Sequence, residues 1–318
     1  MVEAKINDLI FRELIKRGYS LKGNTRVWNI ADSKLWYLTP EQAQAYLDLE
    51  ESEEYDATSI EYDLLSNYSD MIKKEIKSGA INIVDLGCGD GKKTAFLIKK
   101  MLNTNSVRYC PIDISGYMVQ KAIKTVSKIN VKEIIESKWN ISDFENLQNI
   151  TPLLRREKKD RNLFLLLGYT LGNFEIHDIL YQIRSSMRKG DVLVIVTGIG
   201  NEKWEKWISK INDEKKLRMD SFFNHIPLQI GFEMKAIEFG ARFQNSRVEY
   251  FHTLKKDKTV NLRDKSVEFK KGDEIIVAVS YKHDKDDLTT YLNMHFDQVD
   301  VFPSDDGSTA LAICKRRV

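Results

Sequence analysis

Apolar residues recur at helical spacing near the start of the chain (Ile6, Leu9, Ile10, Leu14, Ile15), and Gly18 stands where such a helix would end. A polar, aromatic-rich stretch follows, with Trp28, Trp36, Tyr37 and Tyr46 ahead of the acidic run LEESEEYD. Helical spacing returns over residues 60 to 77. The period then changes: INIVDL reads as a buried strand, KKTAFLIKKML as an amphipathic helix, and SVRYCPID as a second strand ending in an acid. The alternation continues through a helix around YMVQKAIKTVSKI, a strand near VKEIIES, a strand NLFLLLG, a helix EIHDILYQIRSSMRKG and a strand DVLVIVTGIG. Such βαβαβ order predicts a doubly wound, mostly parallel sheet.

Beyond Gly200 the pattern shifts. NEKWEKWISKIN places Trp204, Trp207, Ile208 and Ile211 on one helical face. Residues 242 to 280 alternate with period two, which predicts an antiparallel meander. A helix near DDLTTYLNM and two strands joined by a turn at Asp306-Gly307 close the chain. This shift predicts an α/β domain of residues 61–200 and 281–318, with residues 1–60 and 201–280 assembling a second, smaller α+β unit.

Composition narrows the function classes. The chain has 318 residues, with 49 Lys+Arg against 47 Asp+Glu. A net charge of +2 provides no basic field for nucleic acid. No apolar run reaches membrane-spanning length, and the N-terminus lacks the continuous apolar core of a secretory signal. Cys88, Cys110 and Cys314 are odd in number and lack CxxC spacing. They argue for a reducing compartment, the cytoplasm, and against a disulfide framework or zinc site. The five histidines have no metal-like spacing either, so no metal is expected.

The candidate chemistry starts at IVDLGCGDGKKT. A dinucleotide fingerprint requires GxGxxG, but here Gly87, Gly89 and Gly91 alternate and Lys92 takes the position of the third fingerprint glycine. A Walker loop is absent. The turn permits close backbone approach, yet its spacing suits the amino-acid moiety of S-adenosylmethionine (SAM) better than a pyrophosphate. Asp85 precedes the turn, and Lys93 is placed for a carboxylate. Asp113, closing the second strand, can accept both ribose hydroxyls of an adenosyl group, in NAD enzymes and methyltransferases alike. Asp143 and Phe144 follow the third strand, where an acid can hold the adenine amine and an aromatic can cover the ring. The alternative for all of these is a structural turn with capping acids.

VDLGCGDGKKT, PID, SDF and LGYTLGNF together resemble the histidine-specific Nα-methyltransferase family of ergothioneine biosynthesis, from about Lys34 to the C-terminus. The resemblance implies a class I Rossmann-like SAM methyltransferase sheet joined to a substrate domain, with S-adenosylhomocysteine (SAH) as product. It implies cofactor contacts from Gly87, Lys93, Asp113, Asp143 and Phe144. Asn173 would hold the substrate's amino end, and Tyr55, ahead of Glu61, matches a substrate tyrosine. The family segment acid-x-Ser-x-Lys corresponds to Ala278, Ser280 and Lys282, so its acid is missing. A second substrate tyrosine, expected near residues 207–213, has no match. The implied activity is N-methylation of an amino acid or related small amine other than histidine.

Plainer roles exist for several of these residues. Asn173 precedes a helix and could be its N-cap. Tyr55 could simply pack beside the acidic segment, and the tryptophan stripe reads as core. RREKKDR reads as a solvated loop. Two other readings of the chain stay open. In one, a protein or RNA acceptor docks on the basic stretch LKKDKTVNLRDKSVEFKK; in the other, the chain is a SAM-binding module without catalysis.

Overall fold

The computed structural model describes residues 7–52, 57–103, 105–155, 161–200, 204, 206, 208 and 218–316. Two compact units emerge, one of residues 1–49 with 201–281 and the other of residues 50–200 with 282–318. Each is built from two separate stretches of chain.

In the first unit, helix α1 (Asp8–Arg17) is capped by the Asn7 side chain and ends at Gly18, whose φ of 61° only glycine takes without strain. Strands β1 (Ser20–Lys22) and β2 (Thr25–Asn29) then form a short hairpin in the polar, aromatic-rich stretch, followed by helix α2 (Pro40–Glu50). Later in the chain come β8 (Ile237–Gln244), β9 (Arg247–Leu254), β10 (Lys258–Leu262), β11 (Lys265–Phe269) and β12 (Glu274–Tyr281). The sheet order is β1-β2-β12-β9-β8. Strand β2 runs parallel to β12, with Trp28 opposite Ile275. The expected meander is therefore divided: β8, β9 and β12 share the sheet, whereas β10 and β11 form a hairpin of their own.

The second unit begins its regular structure with helix α3 (Ala57–Ile76), then β3 (Gly79–Leu86), α4 (Lys92–Met101), β4 (Asn105–Ile112) and α5 (Gly116–Val126). It continues with β5 (Glu133–Ile134), α6 (Leu147–Leu154), β6 (Arg161–Leu166), α7 (Ile176–Ser186) and β7 (Val192–Gly198). A helix Lys285–His295 and strands β13 (Gln298–Pro303) and β14 (Thr309–Lys315) complete it. The order β13-β14-β7-β6-β3-β4-β5 is parallel throughout except for β14, which is antiparallel to both neighbours. This is the expected α/β, Rossmann-like sheet.

Both faces of the sheet are covered, which is why its strands read as continuous apolar runs. Ile81 and Ile83 pack with Leu64, Leu97 and Ala122 on one face, while Val84 and Leu86 pack with Ile150, Ile179 and Leu292 on the other. Each such buried aliphatic contributes roughly 1.5–3 kcal/mol. The segment VKEIIES supplies only the two paired residues of β5. Chain order reverses at β3, flanked by β4 and β6, and the loops following these strands gather at their carboxyl ends. In open α/β sheets that is where ligands bind.

Candidate active site

The turn after β3 holds Gly87, Gly89 and Gly91 at φ 70°, 52° and 74°, all left-handed. The Gly87 and Cys88 N–H groups both donate to the Ile112 carbonyl at the end of β4, at 2.8 and 3.3 Å. A Cβ on Gly91 would lie 2.8 Å from the Ala122 Cα, so this glycine is what lets α5 approach. A Cβ on Gly87 would meet Thr170 at 3.2 Å and Phe144 at 3.8 Å. The loops following three different strands thus converge on Gly87.

Asp85 is buried and accepts from the Tyr109 hydroxyl at 2.7 Å. Burial pushes its carboxyl up to about 6, against the pull of the Tyr109 and Thr94 hydrogen bonds. Asp113 is held by its backbone, which exchanges hydrogen bonds with Asn140 and Ser142. Its carboxylate accepts from Ser115 N–H at 2.9 Å and Gly89 N–H at 3.3 Å. Burial likewise raises it to about 6. Each carboxylate oxygen can accept twice, so acceptor capacity is left on both.

Asp143 caps the short turn Phe144–Asn146 through Glu145 N–H at 2.9 Å. The Phe144 ring lies 5.4 Å from that of Phe174. Lys93 projects from the first turn of α4 into a nest of carboxylates. Its ammonium pairs with Glu50, and with Glu61 Oε2 at 2.8 Å. Those two charges hold the Lys93 ammonium well above its usual range despite burial.

The turn after β6 is tightly built. Gly168 and Tyr169 are both left-handed, at φ 67° and 60°. Gly168 N–H donates to Glu61 Oε1 at 2.8 Å. The Tyr169 hydroxyl lies 2.6 Å from Thr309 Oγ1, and the Lys282 ammonium sits 5.6 Å from the Tyr169 ring centroid. Burial pushes the Lys282 ammonium down to about 7. A single 3-10 turn, Thr170–Asn173, follows and presents Asn173 half-buried at its end. The N-cap role considered for Asn173 belongs instead to Glu175, whose carboxylate accepts from His177 N–H at 3.2 Å.

The second unit thus brings Asp85, Gly87, Gly89, Lys93, Asp113, Asp143, Phe144 and Asn173 to one end of its sheet. Ala278 and Ser280 lie on β12 of the first unit, where Ala278 is completely buried beside a bulge and Ser280 is half-buried. Tyr55 lies outside the described residues, as do Trp207 and most of the segment expected to carry a second tyrosine.

A family model described as "histidine-specific methyltransferase, SAM-dependent" matches residues 35–316. The chain belongs to this family. It is a SAM-dependent methyltransferase. No curated protein matches it by sequence. Similar solved structures include a SAM-dependent methyltransferase from Clostridium acetobutylicum, 12% identical over 80% of this chain and 92% of that one, with TM-score 0.43. Another is a putative methyltransferase from Thermobifida fusca, 10% identical over 87% and 88%, with TM-score 0.46. A third is a SAM-bound amino pentose methyltransferase from Micromonospora echinaspora, 10% identical over 88% and 98%, with TM-score 0.39.

Three residues that touch the candidate site escaped sequence reasoning. Glu61 served only as a landmark after Tyr55, Thr170 was one letter in LGYTLGNF, and Glu50 belonged to an acidic run. A faint signal existed for Glu61, a charge on the apolar stripe of a helix. Asp113 also yields a pH prediction. As pH falls through about 6 its carboxyl protonates and loses acceptor capacity. Calorimetry should then show the SAH dissociation constant rising by up to about tenfold per pH unit below that point. Constant affinity between pH 7.5 and 5 would overturn the expectation that Asp113 accepts the ribose hydroxyls.

Proposed function

We propose that this methyltransferase moves the methyl group of SAM onto the amine of an amino acid or related small molecule, and that the acceptor is not histidine. One observation carries the reading: Thr170, in the turn that ends at Asn173, lies against Gly87 of the glycine turn, with Phe144 beside it. The group that would hold an amine and those that would hold the cofactor therefore sit in adjoining loops. When bound, SAM supplies an electrophilic methyl group.

The residues fit such a group. Asp113 offers its remaining acceptor capacity to two hydroxyls, and Asp143 with Phe144 would take the adenine. The glycine turn offers backbone without side chains. Lys93 has three N–H donors, so it can serve a cofactor carboxylate while still paired with Glu50 and Glu61. Asn173 would orient the amine through its side-chain carbonyl, with Tyr55 fixing the acceptor's carboxylate or a water near the amine. Positioning of this kind needs no nucleophile from the protein, because alignment itself supplies a large share of the acceleration.

Against histidine stands Ala278. The family segment carries an acid there, and the methyl of a buried alanine cannot pair with an imidazole N–H. A polar ring buried without its partner is strongly disfavoured. Ser280, one step along the motif, would still meet the acceptor's side chain. The three cysteines, all buried and unpaired, suit a reducing cytoplasm. Among the described residues no helix is long and apolar enough to cross a membrane.

The test is mass spectrometry of a mixture of the twenty amino acids and small amines incubated with enzyme and methyl-labelled SAM. Label is expected on an amine other than that of histidine. Histidine methylated as fast as the best alternative refutes the specificity, and label found only in added protein or RNA refutes the small acceptor.

A further inference from the structure

Helix α3 buries one stripe against the sheet: Leu64, Leu65, Ser69, Ile72 and Ile76, with Glu61 at its head. The aliphatics already provide the helix-to-sheet packing. A carboxylate with no solvent exposure is costly in such a place, and an apolar residue of similar size would usually serve stability as well or better. The partners of Glu61 give its presence a reason. Oε1 takes Gly168 N–H at 2.8 Å, at the start of the turn that ends in Asn173. Oε2 lies 2.8 Å from the Lys93 ammonium, on the helix that follows the glycine turn. The two partners also abut each other, since a Cβ on Gly168 would lie 3.3 Å from Lys93 Nζ.

We propose that Glu61 is a positioning residue for methyl transfer: its one carboxylate clamps the Gly168 N–H and the Lys93 ammonium together, and so fixes the spacing between the Asn173 turn and the cofactor turn. The proposal rests on the reading that Asn173 holds the acceptor amine. Burial raises the Glu61 carboxyl while Lys93 opposes that rise, so the charge that strengthens both contacts depends on Lys93 staying in place. Glu50 is the other carboxylate on Lys93, but the Gly168 N–H donates to Glu61.

Two variants test this. Glu61→Leu removes both contacts and keeps the packing; Glu61→Gln keeps an acceptor for Gly168 N–H but loses the charge. Amide hydrogen exchange of residues 167–174, measured with SAH bound, needs no acceptor and so reads the clamp independently of the proposed function. Exchange there should quicken about tenfold in Glu61→Leu, and about threefold in Glu61→Gln because a neutral acceptor bonds more weakly. Unchanged exchange in folded Glu61→Leu overturns the clamp. Should that variant fail to fold, unchanged exchange in Glu61→Gln does so. With an amino-acid acceptor, kcat of Glu61→Gln should fall about tenfold while KM for SAM stays within about threefold, the mark of misaligned reactants. A rise in KM with kcat intact would reduce Glu61 to a cofactor-site support and overturn the proposal, as would a lowered melting temperature with both constants unchanged. A screen that finds no amino-acid acceptor leaves the exchange result to decide the clamp alone.

Discussion

Replacing Gly91 by alanine is expected to destabilise the Rossmann-like unit by about 2–5 kcal/mol. Two costs add. Alanine at φ 74° is strained by about 1–2 kcal/mol. Its methyl would also lie 2.8 Å from the Ala122 Cα and 3.1 Å from the Ala122 Cβ, so α5 must move away from the turn. Gly89 is the control. It is left-handed too, at φ 52°, but a Cβ there meets nothing within 4 Å. Gly89→Ala should therefore show the strain alone, about 1–2 kcal/mol. Urea unfolding monitored by hydrogen exchange in α4 and α5 measures both variants. Equal losses would mean that the approach of α5 to Gly91 is not what the glycine protects.

Asn173→Ala is expected to lower kcat/KM by about a hundredfold, the order of loss that follows from a misplaced reacting group. Affinity for SAH should stay within about threefold, because the residues proposed to hold the cofactor are others. Stability should hardly change, since Glu175 caps α7 and Asn173 takes no part in that cap. Calorimetry and initial rates on the same preparation separate these outcomes. Unaltered kcat/KM would remove Asn173 from the acceptor site. A parallel loss of SAH affinity would reassign it to the cofactor.

Much of the second unit was legible because its signals are local. Each buried strand announces itself as an unbroken apolar run, each helix by its stripe, and the glycine turn by residue type alone. Asp113 was legible because an acid ending a buried strand has little reason to be there other than a polar partner. The first unit was less so. Strands β1 and β2 are short and partly exposed, and β2 pairs in parallel with β12, far along the chain, which no local period encodes. The β10–β11 hairpin alternates like its neighbours, so its separation from their sheet was invisible. Glu61 was missed for a related reason. A charge on an apolar stripe looks like a defect until Lys93 and Gly168, both distant in sequence, arrive around it.

The position of β14 bears on how the chain is made. Strand β14 lies between β7 and β13, yet in chain order it follows both of them. A nascent chain therefore carries β7 with one edge unpaired from the time it leaves the ribosome until residues 309–315 follow. At translation rates of 5–20 residues per second that interval is on the order of ten seconds. An open strand edge invites pairing with other chains, so the β7 edge stands exposed to such pairing until β14 arrives to cover it.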